Sequence, residues 1–287
     1  MGVENFIPEL WSDRIFVNLR KSLVFGSLCQ RDYEGEIRNF GDTMKINEIG
    51  PVTVTAYTKR ATISYEQLTS AQKELKIDQA SYFAFSIDDI DAAQTKPKLM
   101  DAAMNDAAYR IADTIDTFIG GLFAEAGATP STTTYIGTAA SHLTVSSGNV
   151  IETFSYANRY LSDKNVPTGG RWMVVPPWVV QKLVLAEAGG ISAIAVPKVM
   201  NDGALVNGFV GKCMGFDLFE SNNCGHGAAA VMCGDRTAIS YAGQIAKVSA
   251  LERETTFDTA ARGLYIYGAK VTRPDALLTL YFTEGAG

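Results

Sequence analysis

The stretch PKLMDAAMNDAAYRIADTIDTFIGGLFAE, residues 97–125, decides the fold. Its apolar residues Met100, Met104, Ala107 with Ala108, Ile111, Ile115, Phe118 with Ile119, and Leu122 recur every three or four positions. That spacing lines one face of an α-helix. Pro97 suits the first turn, where a missing N–H costs nothing, and Gly127-Ala-Thr-Pro130 stops the helix. At 1.5 Å per residue the predicted helix spans about 40 Å. A rod of that length reads as a scaffold on which the rest of an α+β fold is hung.

Upstream of the helix the pattern changes to β. Val52-Thr-Val-Thr-Ala-Tyr57 alternates, Ile63-Ser-Tyr65 follows, and Leu75 to Ile87 mixes alternating and aromatic positions. The segment between, Lys59 to Lys73, is polar and charged and belongs at a protruding tip rather than in a core. These features predict a long β-hairpin. The first 45 residues have no clear period and read as an arm, with apolar segments at Phe6 to Leu10 and Ile15 to Phe25.

Downstream, Gly127 to Ser147 reads as a loop with one short strand at Thr133 to Ile136. A second helix is expected over Asn149 to Lys164, a strand at Arg171 to Val175, and a helix from Trp178 to Ala188 behind Pro176-Pro177. Gly189 to Gly243 reads as a Gly-rich α/β region. Gly263 to Val271 and Leu277 to Tyr281 are β in character.

Composition narrows the function classes. With 287 residues, 47% hydrophobic and 20% charged, the chain is long enough for a sizeable core and falls outside the disordered and fibrous classes. Twenty-five Lys+Arg against 31 Asp+Glu give a net charge of -6, so there is no bulk positive field of the kind a dedicated nucleic-acid-binding domain uses. Cys29, Cys213, Cys224 and Cys233 show no C-x-x-C pair and read as free thiols of a reducing compartment. The N-terminus Met-Gly-Val-Glu-Asn-Phe lacks the pattern of an export signal, and no apolar run suits a membrane span.

Chemistry is sparse. The two histidines, His142 and His226, have no motif partner at ligand or triad spacing. A zinc reading of Cys224, His226 and Cys233 lacks a fourth ligand. Asp88, Asp89 and Asp91 suit charge and capping before the long helix. Gly169-Gly170 and Gly189-Gly190 do not satisfy a phosphate-loop or dinucleotide fingerprint. Trp11, Trp172 and Trp178 read as core or interface anchors. No catalytic residue, cofactor or metal is assigned.

The order of parts resembles the major capsid proteins of tailed bacteriophages, the Hong Kong 97-like fold. Local stretches carry the same likeness: Arg31-Asp-Tyr-Glu-Gly-Glu-Ile37 with Gly41-Asp-Thr-Met-Lys-Ile46, Arg171-Trp-Met-Val-Val-Pro-Pro-Trp178, Gly215-Phe-Asp-Leu-Phe-Glu-Ser-Asn222, and Tyr267-Gly-Ala-Lys-Val271 with Arg273-Pro-Asp-Ala-Leu277. The resemblance implies an N-terminal arm (residues 1–45), an extended loop (46–90), a peripheral domain with the spine helix (91–165), an axial domain (166–240) and a return to the peripheral domain (241–287). It further implies a non-enzymatic coat protein of the virion, built in the host cytoplasm, whose copies form pentamers and hexamers of an icosahedral shell around double-stranded DNA. The partners it implies are a separate scaffolding protein and a portal, with room for a decoration protein, and no membrane.

In the family, arm and loop reach over neighbours. That makes Phe6, Trp11, Lys59, Arg60, Glu66 and Lys73 the expected inter-subunit residues. Some relatives join subunits by Lys–Asn isopeptide links; Lys59 and Lys73 lie near the tip, but no motif marks a partner. Two alternatives stand beside this reading. One is an encapsulin-type shell enclosing cargo enzymes. The other is a soluble α/β enzyme built around Asp217, Glu220 and His226.

Overall fold

The computed structural model describes residues 24–33, 40–49, 52–54, 56, 58–60, 65, 67, 70–88, 98–127, 136–188, 209–225, 230–252 and 258–285. In chain order the elements are α1 (Phe25–Leu28), β1 (Thr43–Ile49), β2 (Ser70–Lys76), β3 (Gln79–Asp88) and α2 (Lys98–Gly120). There follow a 3₁₀ turn (Gly121–Glu125), β4 (Leu143–Val145), α3 (Val150–Asp163), β5 (Trp172–Val175) and α4 (Pro177–Ala188). The chain ends with β6 (Phe209–Cys213), β7 (Phe216–Glu220), β8 (Ala230–Gly234), β9 (Ile239–Glu252), β10 (Asp258–Val271), a 3₁₀ turn (Pro274–Ala276) and β11 (Leu277–Glu284).

The helix expected over 97–125 is α2. It stops as an α-helix at Gly120 and tightens into the 3₁₀ turn. A packing demand accounts for the glycine at that end: a Cβ on Gly120 would sit 2.4 Å from the Asn223 carbonyl oxygen, so only glycine lets the segment after β7 approach so closely. The predicted apolar face is the buried one. Met104, Ala108, Ile111, Ile115, Ile119 and Leu122 all join the main core.

The strands form three sheets. The largest has the order β4-β11-β8-β5-β7-β6, with β5 parallel to β7 and antiparallel to β8. Its centre is fully buried: every residue of β5 and β8 is inaccessible. Such a continuous apolar run is what a strand covered on both faces requires. Each large side chain removed from water there contributes about 1.5–3 kcal/mol. A buried charge among them is satisfied. The Arg171 guanidinium donates to the carbonyls of Pro167, Asn158 and Val166 and to Ser162 Oγ, tying the strand to the end of α3. The sheet also draws β4 and β11, from 143–145 and 277–284, into the company of strands that lie between 166 and 240.

The second sheet, β3-β10-β9, lies against α2. Phe118 of the helix meets Tyr267 of β10 edge-on at 5.4 Å between ring centroids, and Phe83 and Phe85 of β3 pack on the same core. The third sheet is the pair β1-β2, the expected hairpin, but with different strands. Thr43 pairs with Lys76 at its base and Ile49 with Ser70 at its outer end. Among the described residues of the alternating segment, Val52-Thr-Val54 lies in no strand. Val52 and Val54 are 63% and 93% exposed and lie beyond the ladder. The expected strand over Leu75 to Ile87 is broken at Ile77-Asp78, so that β2 belongs to the hairpin and β3 to the sheet on α2. The arm drawn to Lys45 includes the start of β1.

The two halves of that broken strand follow one another along β10. The Lys73 amine donates to the Thr272 carbonyl at 2.5 Å. Lys76 lies over Gly268 so tightly that a Cβ there would be 2.2 Å from its carbonyl oxygen. Gln79 then pairs with Tyr267, and the register continues to Asp88 opposite Asp258. Hence β2 and β3 run end to end in one direction, and the hairpin leaves the sheet past Thr272, at the end away from β3. Its base is held by a small apolar cluster of Leu75 and Ile77 on Ala242 and Ile266, with Met44 and Ile46 against it.

The short helices and strands expected at 149–164, 171–175 and 178–188 appear as α3, β5 and α4. The short strand β4 occurs inside the segment expected to be loop. Apart from Ile136, the strand expected at Thr133 to Ile136 lies outside the described residues, as does 189–208 of the Gly-rich region.

Candidate assembly surface

The expected inter-subunit residues are distributed as follows. Phe6, Trp11 and Glu66 lie outside the described residues. Lys59 and Arg60 occupy an exposed turn of the hairpin loop, with Arg60 in the left-handed region at φ 70°. Lys73 is not at the tip. It sits within β2 opposite Ile46, half-buried, with its amine bonded to Thr272 of the same chain. Tyr65, also beyond the ladder, is 95% exposed.

The start of the described chain is fastened to α2 by a residue that sequence reasoning passes over. Val24 and Phe25 donate their backbone N–H groups to Asp116 Oδ1 at 3.1 and 2.8 Å. Asn223 Nδ2 donates to Asp113 at 2.7 Å and lies 3.5 Å from Asp116 Oδ2. One buried carboxylate therefore joins the root of the arm, the long helix and the segment after β7. Burial raises the Asp116 carboxyl to about 6, and the bonds from Phe25, Asn223 and Val24 oppose the shift. A signal for it existed: Asp116 falls four residues after Ala112 and three before Ile119, an acid inside the apolar stripe. From there Phe25 and Leu28 bury against the core, and Gln30 bridges to Ser240 at the start of β9.

The sheet beside α2 leaves one face partly open. On β3 exposure alternates strictly, with Phe83 and Phe85 inward and Tyr82 and Ala84 outward. Tyr82 is 78% exposed, its β10 neighbour Leu264 is partly exposed, and Leu251 of β9 lies open nearby. The hairpin base covers this face at Ile266 but not beyond it.

The groups considered for catalysis or metal binding are placed differently. Asp217 pairs with Lys212 at 3.0 Å, while His226, Asp89 and Asp91 lie outside the described residues. All four cysteines are buried and free. Burial pushes their thiols up, that of Cys213 to about 11, and Cys224 and Cys233 are spent on the carbonyls of Ser221 and Leu278. Among the described residues no cluster of three His, Cys, Asp or Glu could hold a metal ion, and no helix is long and apolar enough to cross a membrane.

Comparison with known proteins bears on this arrangement. The sequence model of a family described as phage capsid protein matches residues 70–280. Among curated protein sequences nothing matches. Among solved structures, one from Mycobacterium phage Che8 is similar with a TM-score of 0.69 at 24% identity, covering 91% of each chain. The capsid structure of the cyanophage P-SCSP1u has a TM-score of 0.69 at 17% identity over 92% of this chain and 89% of that one. A virus-like particle from Pyrococcus furiosus has a TM-score of 0.52 at 13% identity over 95% and 98%. The family match runs from the first residue of β2 into β11, and the likeness to phage structures covers nearly the whole chain with its hairpin, long helix and sheets. The chain belongs to the phage capsid protein family: it is a bacteriophage capsid protein of the Hong Kong 97-like fold, a structural protein of the virion shell that assembles with copies of itself and is not an enzyme.

Proposed function

We propose that this chain is the major head protein of a tailed phage, closing through pentamers and hexamers into an icosahedral shell around double-stranded DNA. The observation that carries the reading is the hairpin β1-β2. It runs off the end of its own sheet and holds Val52, Val54 and Tyr65 exposed beyond its ladder. An isolated subunit gains little from such an element, whereas a neighbour can cover it.

In this reading residues 1–45 are the arm, 46–90 the extended loop, 91–165 and 241–287 the peripheral domain on α2, and 166–240 the axial domain around the capsomer axes. The net charge of -6 suits a wall past which DNA slides without being gripped. Assembly takes place in the host cytoplasm with a separate scaffolding protein, nucleated on a portal, and a decoration protein has the outer surface available.

Negative-stain microscopy of the expressed chain, alone and with the scaffolding gene beside its own, tests this. Closed icosahedral particles are expected. Small oligomers under both conditions would reject it. Particles that carry a cargo enzyme in place of DNA when taken from the natural source would move the reading to an encapsulin-type compartment.

A further inference from the structure

The root of the arm is held at two points of different chemistry. At the first, Val24 and Phe25 both donate to Asp116 Oδ1 on α2. At the second, Gln30 donates to the Ile239 carbonyl at 2.9 Å and accepts from the Tyr241 N–H at 3.0 Å, while the Arg31 guanidinium lies 5.4 Å from the centre of the Tyr241 ring. The backbone bonds of the second fastening do not titrate. The first fastening ends on a carboxyl group. Segment 24–29 can therefore leave α2 while Gln30 stays on β9, a local opening that carries the residues before Val24 with it.

The surroundings of Asp116 set the direction. Asp113, three residues earlier on α2, brings a second negative charge. Cys29 from the root and Cys224 from the segment after β7 are the thiols beside it, and Arg31, the cation of the root, acts on Cys29. The Asn223 amide lies between the two carboxylates, 2.7 Å from Asp113 and 3.5 Å from Asp116 Oδ2. With Oδ1 taken by two N–H groups, Oδ2 is the oxygen that accepts a proton, so the neutral acid keeps both bonds to the root. The ionised acid keeps them too, but holds its charge out of water and next to Asp113. Lifting the root hydrates that charge.

We infer that Asp116 is a proton-operated latch on the arm: neutral, it holds segment 24–29 down on α2; ionised, it lets the segment lift about Gln30. Burial outweighs the three hydrogen bonds and raises the docked carboxyl from 3.8 to about 6. Docking is therefore firmest below pH 4 and weakens as pH rises through about 6. The latch is a property of one subunit. Its use, offering residues 1–23 to neighbours only above that pH, rests on the shell reading above.

The native thiols report the latch in full-length, unassembled subunits. All four cysteines are buried, so each reacts only after its cover opens. Cys29 belongs to the root, whereas Cys213 lies in β6 of the six-stranded sheet. Labelling with N-ethylmaleimide, read by mass spectrometry, gives a rate at each thiol, and dividing Cys29 by Cys213 cancels the gain in thiolate that both share as pH rises. The ratio is expected to rise about tenfold from pH 5 to pH 8, and to stay flat in Asp116→Asn, which keeps an acceptor for the root and has no charge to gain. A flat ratio in the unaltered chain, which is also what opening of the whole subunit would give, overturns the latch. So does the same rise in Asp116→Asn. Should that variant fail to fold, Asp113→Asn decides. It removes a like charge at an exposed position, so the midpoint of the rise is expected at lower pH, and an unmoved midpoint overturns the inference. Particle formation does not enter the ratio, so the latch and the shell reading fail separately.

Discussion

The six-stranded sheet and the three-stranded sheet on α2 are finished to different degrees. In the first, β5 and β8 bury every residue, Arg171 finds acceptors in neighbouring carbonyls, and helices α3 and α4 complete the core. In the second, every other side chain of β3 is half-buried, its edge is unpaired among the described residues, and the hairpin attached to it leaves past the end of the sheet. One region is closed within the subunit, and the other leaves surface of the same chain open. A shell subunit needs both, because the fold must exist before assembly and the interface must not be satisfied within the monomer.

The contrast is open to attack by mutation. The largest effect is expected from Trp172→Ala, since Trp172 is 1% exposed in the middle of the finished sheet. Truncating a buried aromatic costs about 3–5 kcal/mol. Denaturant unfolding of the isolated subunit should show that loss, with little soluble protein at 37 °C. A subunit that kept its unfolding midpoint would mean the six-stranded sheet is not the stabilising half. Next comes Ala108→Pro in the buried face of α2, which removes a backbone hydrogen bond and clashes with the preceding turn, at a cost of about 3 kcal/mol or more. Because α2 contributes to the core of both regions, melting and assembly should fall together. If only assembly fell, the helix would serve the interface rather than the fold.

A smaller effect is expected at the joint between the regions. Asp116 has its carboxyl raised by burial from 3.8 to about 6, so the folded state holds that proton more tightly than the unfolded chain does. Its contribution to stability is complete below pH 4 and lost as pH rises through about 6. The subunit should therefore gain on the order of 2 kcal/mol from this group between neutral pH and pH 4. Asp116→Asn should remove that slope while preserving the bonds from Val24 and Phe25. Thermal melts of both proteins across this range provide the check, and parallel curves would refute the assignment.

The smallest effect on folding is expected from Lys59→Glu with Arg60→Glu in the exposed turn. Exposed charges contribute little to stability, so the monomer's melting curve should hardly move. Assembly followed by light scattering should slow, more at low salt than at high, because the altered contact recurs at every copy. Unchanged assembly at both salts would remove the loop from the interface.

Most of what was legible in the sequence belongs to the finished region. Periodicity locates α2 and α3, and the run Trp172–Val175 before Pro176-Pro177 gives β5 and α4, because full burial imposes its pattern locally. The unfinished region is read less well for the same reason. β2, Ser-Ala-Gln-Lys-Glu-Leu-Lys, is polar, buries Leu75 beside the base of the hairpin, and becomes a strand through β1 and β10 rather than through its own residues. The better β pattern at Val52 stays outside the ladder. The partner of β3 comes nearly 180 residues later, a distance across which sequence carries no register. The Asp116 joint shows only as an acid on an apolar stripe.

The end-to-end course of β2 and β3 along β10 has a mechanical consequence. A neighbour that tugs on the hairpin pulls parallel to these strands, so the load reaches the ladder from Gln79–Tyr267 to Asp88–Asp258 in shear, with all its bonds sharing the force. Had the hairpin left the sheet sideways, the same tug would peel the pairs one by one. The Lys73–Thr272 bond and the Lys76–Gly268 contact keep the pull in line. The sheet that is only half buried is thus strung like a tie-rod, weak to bending at its free edge and strong along its strands.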